Sequence, residues 1–216
     1  MAATPLILRN AVMQIQTALG SAKTITGISK ASEAVVTATH DFSAGDYVLL
    51  SSVGGMTQIN DLVVRVKSVS TTVSFVCEGI DSTNWTTWSS GGTAKKITFG
   101  ASFDNITNVS LPDSSPDELD ITSIHDDERQ IAFGHASAQK GSMSCVANPL
   151  STAVVEVQTA DRAQERRAFL LTLSNGYKAL MNAYCSGGSG FDGAVGAAAT
   201  AQISLTLRKK PQWFVS

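Results

Sequence analysis

The sequence predicts a mainly β protein with one flanking α-helix, and three observations predict it. The charged fraction is only 16%, while Gly, Ser, Thr and Val are frequent, a balance that favours strands and turns over helix bundles. Short β-prone runs recur between turn signals along most of the chain. The stretch after Asn148-Pro149 carries a helical spacing of apolar residues. A chain of 216 residues can bury one good core or two small ones.

Residues Leu6 to Thr17 alternate at their end, with Val12, Gln14 and Gln16 against Met13, Ile15 and Thr17. This is the pattern of a half-buried strand, although Arg9 to Leu19 could also pass as a short helix. Met1 to Gly20 is apolar enough to raise the question of a secretory leader. However, no basic segment precedes the apolar run, and Arg9, Asn10, Gln14 and Gln16 interrupt it, so no leader is expected. Gly20-Ser-Ala reads as a joint.

Residues 24–99 read as a separate small β-barrel module. Ala34–Thr39, Asp46–Ser51, Asp61–Val69 and Val73–Cys77 are strand candidates, parted by Ser43-Ala-Gly-Asp46, Ser52-Val-Gly-Gly55 and Ser70-Thr-Thr72. Strands this short at this spacing suggest a barrel or sandwich. Trp85 and Trp88 stand near its end, before Ser89-Ser-Gly-Gly92. Through Ile25-Thr-Gly-Ile28, Ala34-Val-Val-Thr37, Phe42-Ser-Ala-Gly-Asp46, Gly55-Met-Thr57, Ile59-Asn60 and Gly79-Ile-Asp-Ser82, the segment resembles small β modules inserted in bacteriophage virion proteins.

Beyond Phe103 the pattern changes. Asn105–Leu111 and Leu119–Ser123 are strand candidates, and Pro112 and Pro116 bar a continuous central strand. Ser142–Val146 is another. Asn148 suits an N-cap and Pro149 the first helical position, with Leu150, Val154 and Val157 on one face. Asp161 to Glu165 ends the helix. Asn175-Gly176, between Ala168–Ser174 and Tyr177–Ser186, is the clearest hairpin signal. In the last strand Ala199, Ala201, Ile203, Leu205 and Leu207 alternate with polar residues. Lys209-Lys-Pro211 breaks it before Trp213 and Phe214.

Residues 1–23 and 100–216 together resemble the tube protein of long, non-contractile phage tails. The pieces that carry the likeness come in order. They are Met13-Gln-Ile-Gln16, Ile106-Thr-Asn-Val109, Asp117-Glu-Leu-Asp-Ile-Thr-Ser123 with Asp126-Asp-Glu128, Gly134, Lys140-Gly141, Asn148-Pro149, Asn175-Gly176 and the closing strand to Lys210-Pro211. The resemblance implies one discontinuous domain, a tail-tube β-sandwich or barrel with a flanking helix, interrupted by the 24–99 module on its outer surface. It implies a structural subunit of the virion tail that forms hexameric rings stacked into a tube for DNA ejection. Tail terminator and distal tail proteins would be further partners. Viral DNA would pass through without specific binding, and synthesis would be in the host bacterial cytoplasm. The alternative from the residues is a carbohydrate-binding or adhesin-like β protein, supported by Trp85 and Trp88.

No enzyme chemistry is expected, and no cofactor or metal. Gly188-Ser-Gly190-Phe-Asp-Gly193 matches a dinucleotide fingerprint in letters but leads into a β pattern, where a helix is required. His40, His125 and His135 fit no zinc spacing and read as solvated loop residues. Cys77, Cys145 and Cys185 read as reduced thiols, the last two buried on strands. A formal net charge of -2 and no basic run argue against a nucleic-acid binder. No apolar run is long enough to span a membrane.

The acidic cluster Asp117, Glu118, Asp120, Asp126, Asp127 and Glu128 could be a calcium loop, a solvated face or an inter-subunit contact, of which the last is favoured. The 123–140 segment is too long and polar for an ordinary hairpin, yet it holds Ile131 and Phe133. The expectation is that Asp120, Asp126, Asp127, Glu128, Arg129, Ile131, Phe133 and Lys140 meet a neighbouring ring, with Arg162, Arg166 and Arg167 as basic counterparts. The bore should be neutral to acidic, lined largely from residues 106–146.

Overall fold

The structure, a computed structural model, describes residues 8–103 and 105–215. The start of the Leu6–Thr17 run, and residues 1–7 of the segment that raises the question of a leader, lie outside the described residues. The chain is mainly β, with strands β1 (Val12–Leu19), β2 (Lys23–Ile28), β3 (Val35–Ala38), β4 (Tyr47–Gly54), β5 (Leu62–Ser70), β6 (Ser74–Cys77) and β7 (Ser90–Phe103) in its first half. β8 (Ile106–Ser110), β9 (Pro116–Asp120), β10 (Ile131–Ala136) and β11 (Lys140–Val146) follow, then the helix α1 (Thr152–Ala163). β12 (Arg166–Thr172), β13 (Tyr177–Gly187), β14 (Thr200–Leu207) and β15 (Gln212–Val215) complete it.

Six strands close into a barrel. β2 pairs β3, β3 pairs β6, β6 pairs β5, β5 pairs β4, β4 pairs β7, and β7 returns to β2. Closure leaves the ring no free edge. Alternation puts Val36, Val48, Leu50, Val64, Phe75 and Ala94 inside, with Ile25 and Met56. β7 was not expected, because Ser89-Ser-Gly-Gly92 reads as a turn. Instead Gly92, at φ +111, lies inside the strand, where a Cβ would meet Val53 Cγ2 at 2.8 Å and Ile25 Cδ1 at 3.1 Å. The missing side chain lets β7 pass close to the barrel core.

β7 is 14 residues long and belongs to both halves of the protein. Its first half pairs β4 and touches β2; its second half pairs β1, with Met13 opposite Phe103 and Leu19 opposite Ile97. The sheet then runs β7-β1-β12-β13-β14-β11-β8, and β15 pairs the start of β13. β1 and β2 therefore follow one edge of β7, and the Gly20 amide donates to the Lys96 carbonyl at 2.7 Å between them.

Helix α1 covers one face of this second sheet. Val154, Val157 and Ala160 pack with Met13, Ile15, Phe169, Leu171, Met181, Ile203 and Leu205. The N-cap is Ser151, whose hydroxyl accepts from the Val154 amide at 3.4 Å. This corrects the expectation of Asn148: residues 148–151 form a turn closed by Ser151 N–H to Asn148 O at 3.1 Å. Leu150 falls outside the helix and is 89% exposed.

The opposite face of β12 and β13 is also buried. Ala168, Leu170 and Leu180 pack with Val63 and Ile97 of the barrel, and Tyr47, Leu49, Phe99 and Phe214 close around them. Strands covered on both sides read as continuous apolar runs, which explains Ala168 to Leu171. His40 is corrected from a solvated loop residue to a barrel residue, 4% exposed. Its Nδ1 accepts from the Phe42 amide at 3.1 Å, and its ring stacks on Phe42. The Gly188–Gly193 run lies in the β13–β14 connection, where Asp192 bridges Thr200.

Candidate functional site

The segment singled out by its acidic and Gly-containing sequence is a projecting β-hairpin. β8 is the last strand of the large sheet. Beyond it the chain leaves at Leu111-Pro112, and β9 and β10 form a two-stranded sheet of their own. Asp120 lies opposite Ile131, Leu119 opposite Ala132 and Glu118 opposite Phe133, with an irregularity before Pro116 and Ala136. Residues 123–140 were expected as an irregular loop. In fact 131–136 is a strand, paired with the Pro116–Asp120 segment. Pro116 sits at the first position of β9, where a missing amide N–H is tolerated.

The tip is tightly bonded. Ser123 N–H donates to Asp126 Oδ2 at 2.7 Å, and Asp126 N–H returns to Ser123 O at 3.0 Å. Thr122 N–H donates to Asp120 Oδ1 at 3.0 Å, its hydroxyl donates to the same atom, and Gln130 N–H donates to the Thr122 hydroxyl at 3.0 Å. Arg129 Nε reaches Asp120 Oδ2 at 3.2 Å. The hydroxyl and amide of Thr122, and then Arg129, hold the Asp120 carboxyl below the usual aspartate range. Asp120 and Arg129 thus work within the arm, fixing its turn.

The arm's apolar side chains lack a home in its own chain. Leu119, Ile121, Ile124, Ile131 and Phe133 are all exposed, Ile124 by 96% and Phe133 by 69%. None belongs to a core cluster of the described residues. Ile131 and Phe133 share a face with Asp120 and Glu118, while Leu119 and Ala132 lie on the other. Both faces are therefore sticky, which a merely solvated ribbon would not need.

The expected basic counterparts are engaged differently. Arg166 Nη1 meets Asp61 Oδ2 at 2.9 Å, and its guanidinium lies 4.8 Å over the Tyr184 ring. Arg167 pairs Glu165 at 2.7 Å. Arg162 is in the last helical turn, and Lys140 is an exposed residue at the start of β11. Asp61 also takes Arg208 Nε at 3.4 Å, and its carbonyl accepts from Asn182 Nδ2 at 3.0 Å. One aspartate thus ties the barrel to β12, β13 and the end of β14. Sequence reading missed this node because Asp61 lies about a hundred residues from its partners, with no local signal.

Trp85 and Trp88, the support for a carbohydrate-binding alternative, lie outside the strands. They sit half-buried in the link before β7, packed on the barrel core, and Trp88 Nε1 donates to Gly91 O at 3.0 Å. Cys77, Cys145 and Cys185 are free and buried. Burial pushes the Cys77 thiol up to about 12 and Cys185 up to about 11, and raises Cys145. Such thiols are poor nucleophiles. Among the described residues no group of His, Cys, Asp or Glu converges as a metal site, and no helix is long and apolar enough to cross a membrane.

A second surface is the open face of β8, β11 and β14. Cross-strand rows run Ser110–Ser142–Ser204–Ser186 and Asn108–Ser144–Gln202. These rows carry hydroxyls and amides, and the next row on the same face, Lys140–Thr206–Tyr184–Arg166, is charged at both ends.

Comparison with known proteins gives one family. The model described as phage tail tube protein, TTP, matches residues 54–214, well over half of the chain. The match begins at the end of β4, inside the barrel, and runs through the arm to β15. No curated protein matches.

Proposed function

The chain belongs to the phage tail tube protein family, a structural family of the virion tail, and from that premise we propose that its copies form hexameric rings stacked into the conduit for viral DNA. The arm of β9 and β10 is the contact between rings. The observation that carries this is the ordered ribbon with five exposed apolar side chains and no partner strand in its own subunit.

Magnitudes support a cooperative polymer. Burying those five side chains contributes roughly 1.5–3 kcal/mol each. Association costs about 4–15 kcal/mol in lost freedom. One arm contact is therefore marginal, while several arms acting together in a ring reinforce one another. The tube also meets a terminator at the head end and distal tail proteins at the other, after synthesis in the host cytoplasm.

The Ser, Asn and Gln rows of β8, β11 and β14 line the bore. DNA must slide there, and these two neutral polar rows neither grip phosphates as lysines would nor expose apolar surface, while the charges of the adjoining Lys140–Thr206–Tyr184–Arg166 row lie at the arm's root. The barrel covers the same face further along, at β12 and β13. Strand twist of roughly 20–25° per strand turns β8 some 60–75° from β13, which leaves the barrel room on the outer wall.

The test is electron microscopy of the purified full-length protein and two variants, Asp126→Lys with Asp127→Lys, and Phe133→Ser. Both variants should be folded by circular dichroism and neither should form long tubes. Parent-like tubes from both would show the arm to be a solvated surface and sink the assignment.

A further inference from the structure

The root of the arm holds a feature the arm itself does not use. A cavity of about 470 Å³ opens between the arm's root, β13 and the end of β14, bordered by Gln139, Arg166, Tyr184, Arg208, Lys209 and Lys210. Its charge is lopsided. Arg166 and Arg208 share one carboxylate, Asp61. Among the described residues no carboxylate pairs with Lys209 or Lys210. Two polar atoms there are buried without a partner: Arg166 Nε, a donor, and Gln139 Oε1, an acceptor. Gln139 is only 7% exposed. Orphaned buried polar atoms are rare, and each requires a reason.

We infer that the cavity receives the acidic arm tip of a second copy of this chain, Asp126-Asp127-Glu128. The chemistry matches on each count. Carboxylates of the tip meet Lys209 and Lys210; Arg166 Nε and Gln139 Oε1, each closed to solvent in the free subunit, gain partners from the arm as their side chains turn toward it. The occupant is not the subunit's own tip. The ladder from Pro116 opposite Ala136 to Asp120 opposite Ile131 stands between root and tip. The five strand residues Pro116 to Asp120 span about 16 Å at roughly 3.3 Å per residue, so a subunit's tip is held away from its own cavity. A tip-to-root contact joins two different surfaces. Such heterologous contacts repeat from copy to copy, closing rings or extending filaments, and do not stop at a dimer. The inference rests on the reading of the arm as an inter-subunit contact and adds where the arm lands.

The experiment is a charge exchange in the full chain. Lys209→Glu with Lys210→Glu reverses the cavity and leaves the Asp61 partners alone. Asp127→Lys with Glu128→Lys reverses the tip and leaves the Asp126 turn alone. A third chain carries both sets. Critical concentration for polymer is read by sedimentation and microscopy, with near-ultraviolet circular dichroism confirming the fold. Each single set should raise the critical concentration at least about tenfold, and the combined chain should recover most of that loss, because charge complementarity is restored. The cavity assignment is overturned if the cavity set polymerises like the parent, or if the combined chain is no better than the tip set. A tip set that fails beside a cavity set that behaves like the parent leaves the arm contact standing and removes the cavity as its receiver. If both single sets polymerise like the parent, the reading of the arm falls as well.

Discussion

Asp61 is a position where a small change should loosen the protein between its two halves. It follows the short 3-10 turn Thr57–Ile59 and has φ 63. Its carboxylate holds Arg166 at 2.9 Å and Arg208 at 3.4 Å, and the side chains of the three are 30%, 26% and 55% exposed. Asp61→Asn keeps a residue that tolerates the left-handed backbone and one acceptor oxygen, but removes the charge. Hydrogen bonds to charged groups contribute about 1.5–3 kcal/mol, and exposed ion pairs about 0.2–1. The Arg208 pair belongs to the second class, and the half-buried Arg166 pair lies between the two. The expected cost is therefore about 1–2 kcal/mol. Asp61→Ala should cost roughly 1–2 kcal/mol more, from backbone strain at positive φ. Urea unfolding followed by tryptophan fluorescence measures it, since Trp85 and Trp88 report on the barrel and Trp213 on β15. The midpoint should fall, with the slope unchanged unless the halves uncouple into two steps. An Asp61→Asn midpoint equal to the parent's would refute the claim that this aspartate joins barrel to sheet.

Two further outcomes follow from the same geometry. Replacing residues 21–95 by Asn-Gly should close β1 and β7 into a hairpin, since Gly20 already bonds Lys96. Because this uncovers Ala168, Leu170 and Leu180, the deletion needs Leu170→Thr and Leu180→Thr to stay soluble. It should then form thinner tubes by microscopy, and a soluble, folded deletion chain that forms none would place the barrel in the ring contact. The thiols give the other outcome. A thiol reagent should label Cys77, Cys145 and Cys185 after denaturation without reductant and leave the native protein nearly unlabelled. An unlabelled pair would contradict the reduced assignment. Cys77 binds its proton more tightly folded, at about 12 against 9.0 for an ordinary thiol. Its contribution is thus fully present below pH 9 and lost as pH rises towards 12, up to about 4 kcal/mol at roughly 1.4 kcal/mol per unit. Cys77→Ala should flatten the alkaline decline in stability, and an unchanged slope would exclude this source.

The β class, the helix, the Asn175-Gly176 hairpin and the inward face of β14 were legible because each rests on a local rule. Ala201, Ile203, Leu205 and Leu207 are all buried, as their period of two demands. What local rules miss is strands whose partners lie far off. β7 hides behind Gly91-Gly92, residues that normally end strands, because the constraint on Gly92 comes from Ile25 and Val53. β15 hides behind Pro211, since it pairs only the first four residues of β13. The 99/100 boundary is likewise one that composition suggests, whereas β7 runs across it without a break.

The arm shows the same division at the functional surface. Its acidic cluster and its Ile131 and Phe133 stand out in sequence because they are inconsistent with each other: charge asks for water and the aromatic ring asks for cover. That conflict marked the segment without revealing its form. Gly134 and the acidic neighbours argued for a loop, yet Gly134 lies in β10, where a Cβ would sit 3.4 Å from Asp117 O and 3.6 Å from Leu119 Cδ1. Asp120 and Arg129 read as contacts for a neighbour, but they bond to each other and stiffen the turn. Among the described residues, Asp127 and Glu128 at the tip have no such internal duty, and neither have Lys209 and Lys210 at the cavity. Charges already spent inside a subunit change little when two subunits meet. Unspent charges that face one another decide register and orientation. A reading that sorts the charged residues by internal engagement therefore moves the weight of the interface away from Arg166 and Arg167 and towards the Lys209-Lys210 pair, two residues that look in sequence like nothing more than the end of a strand.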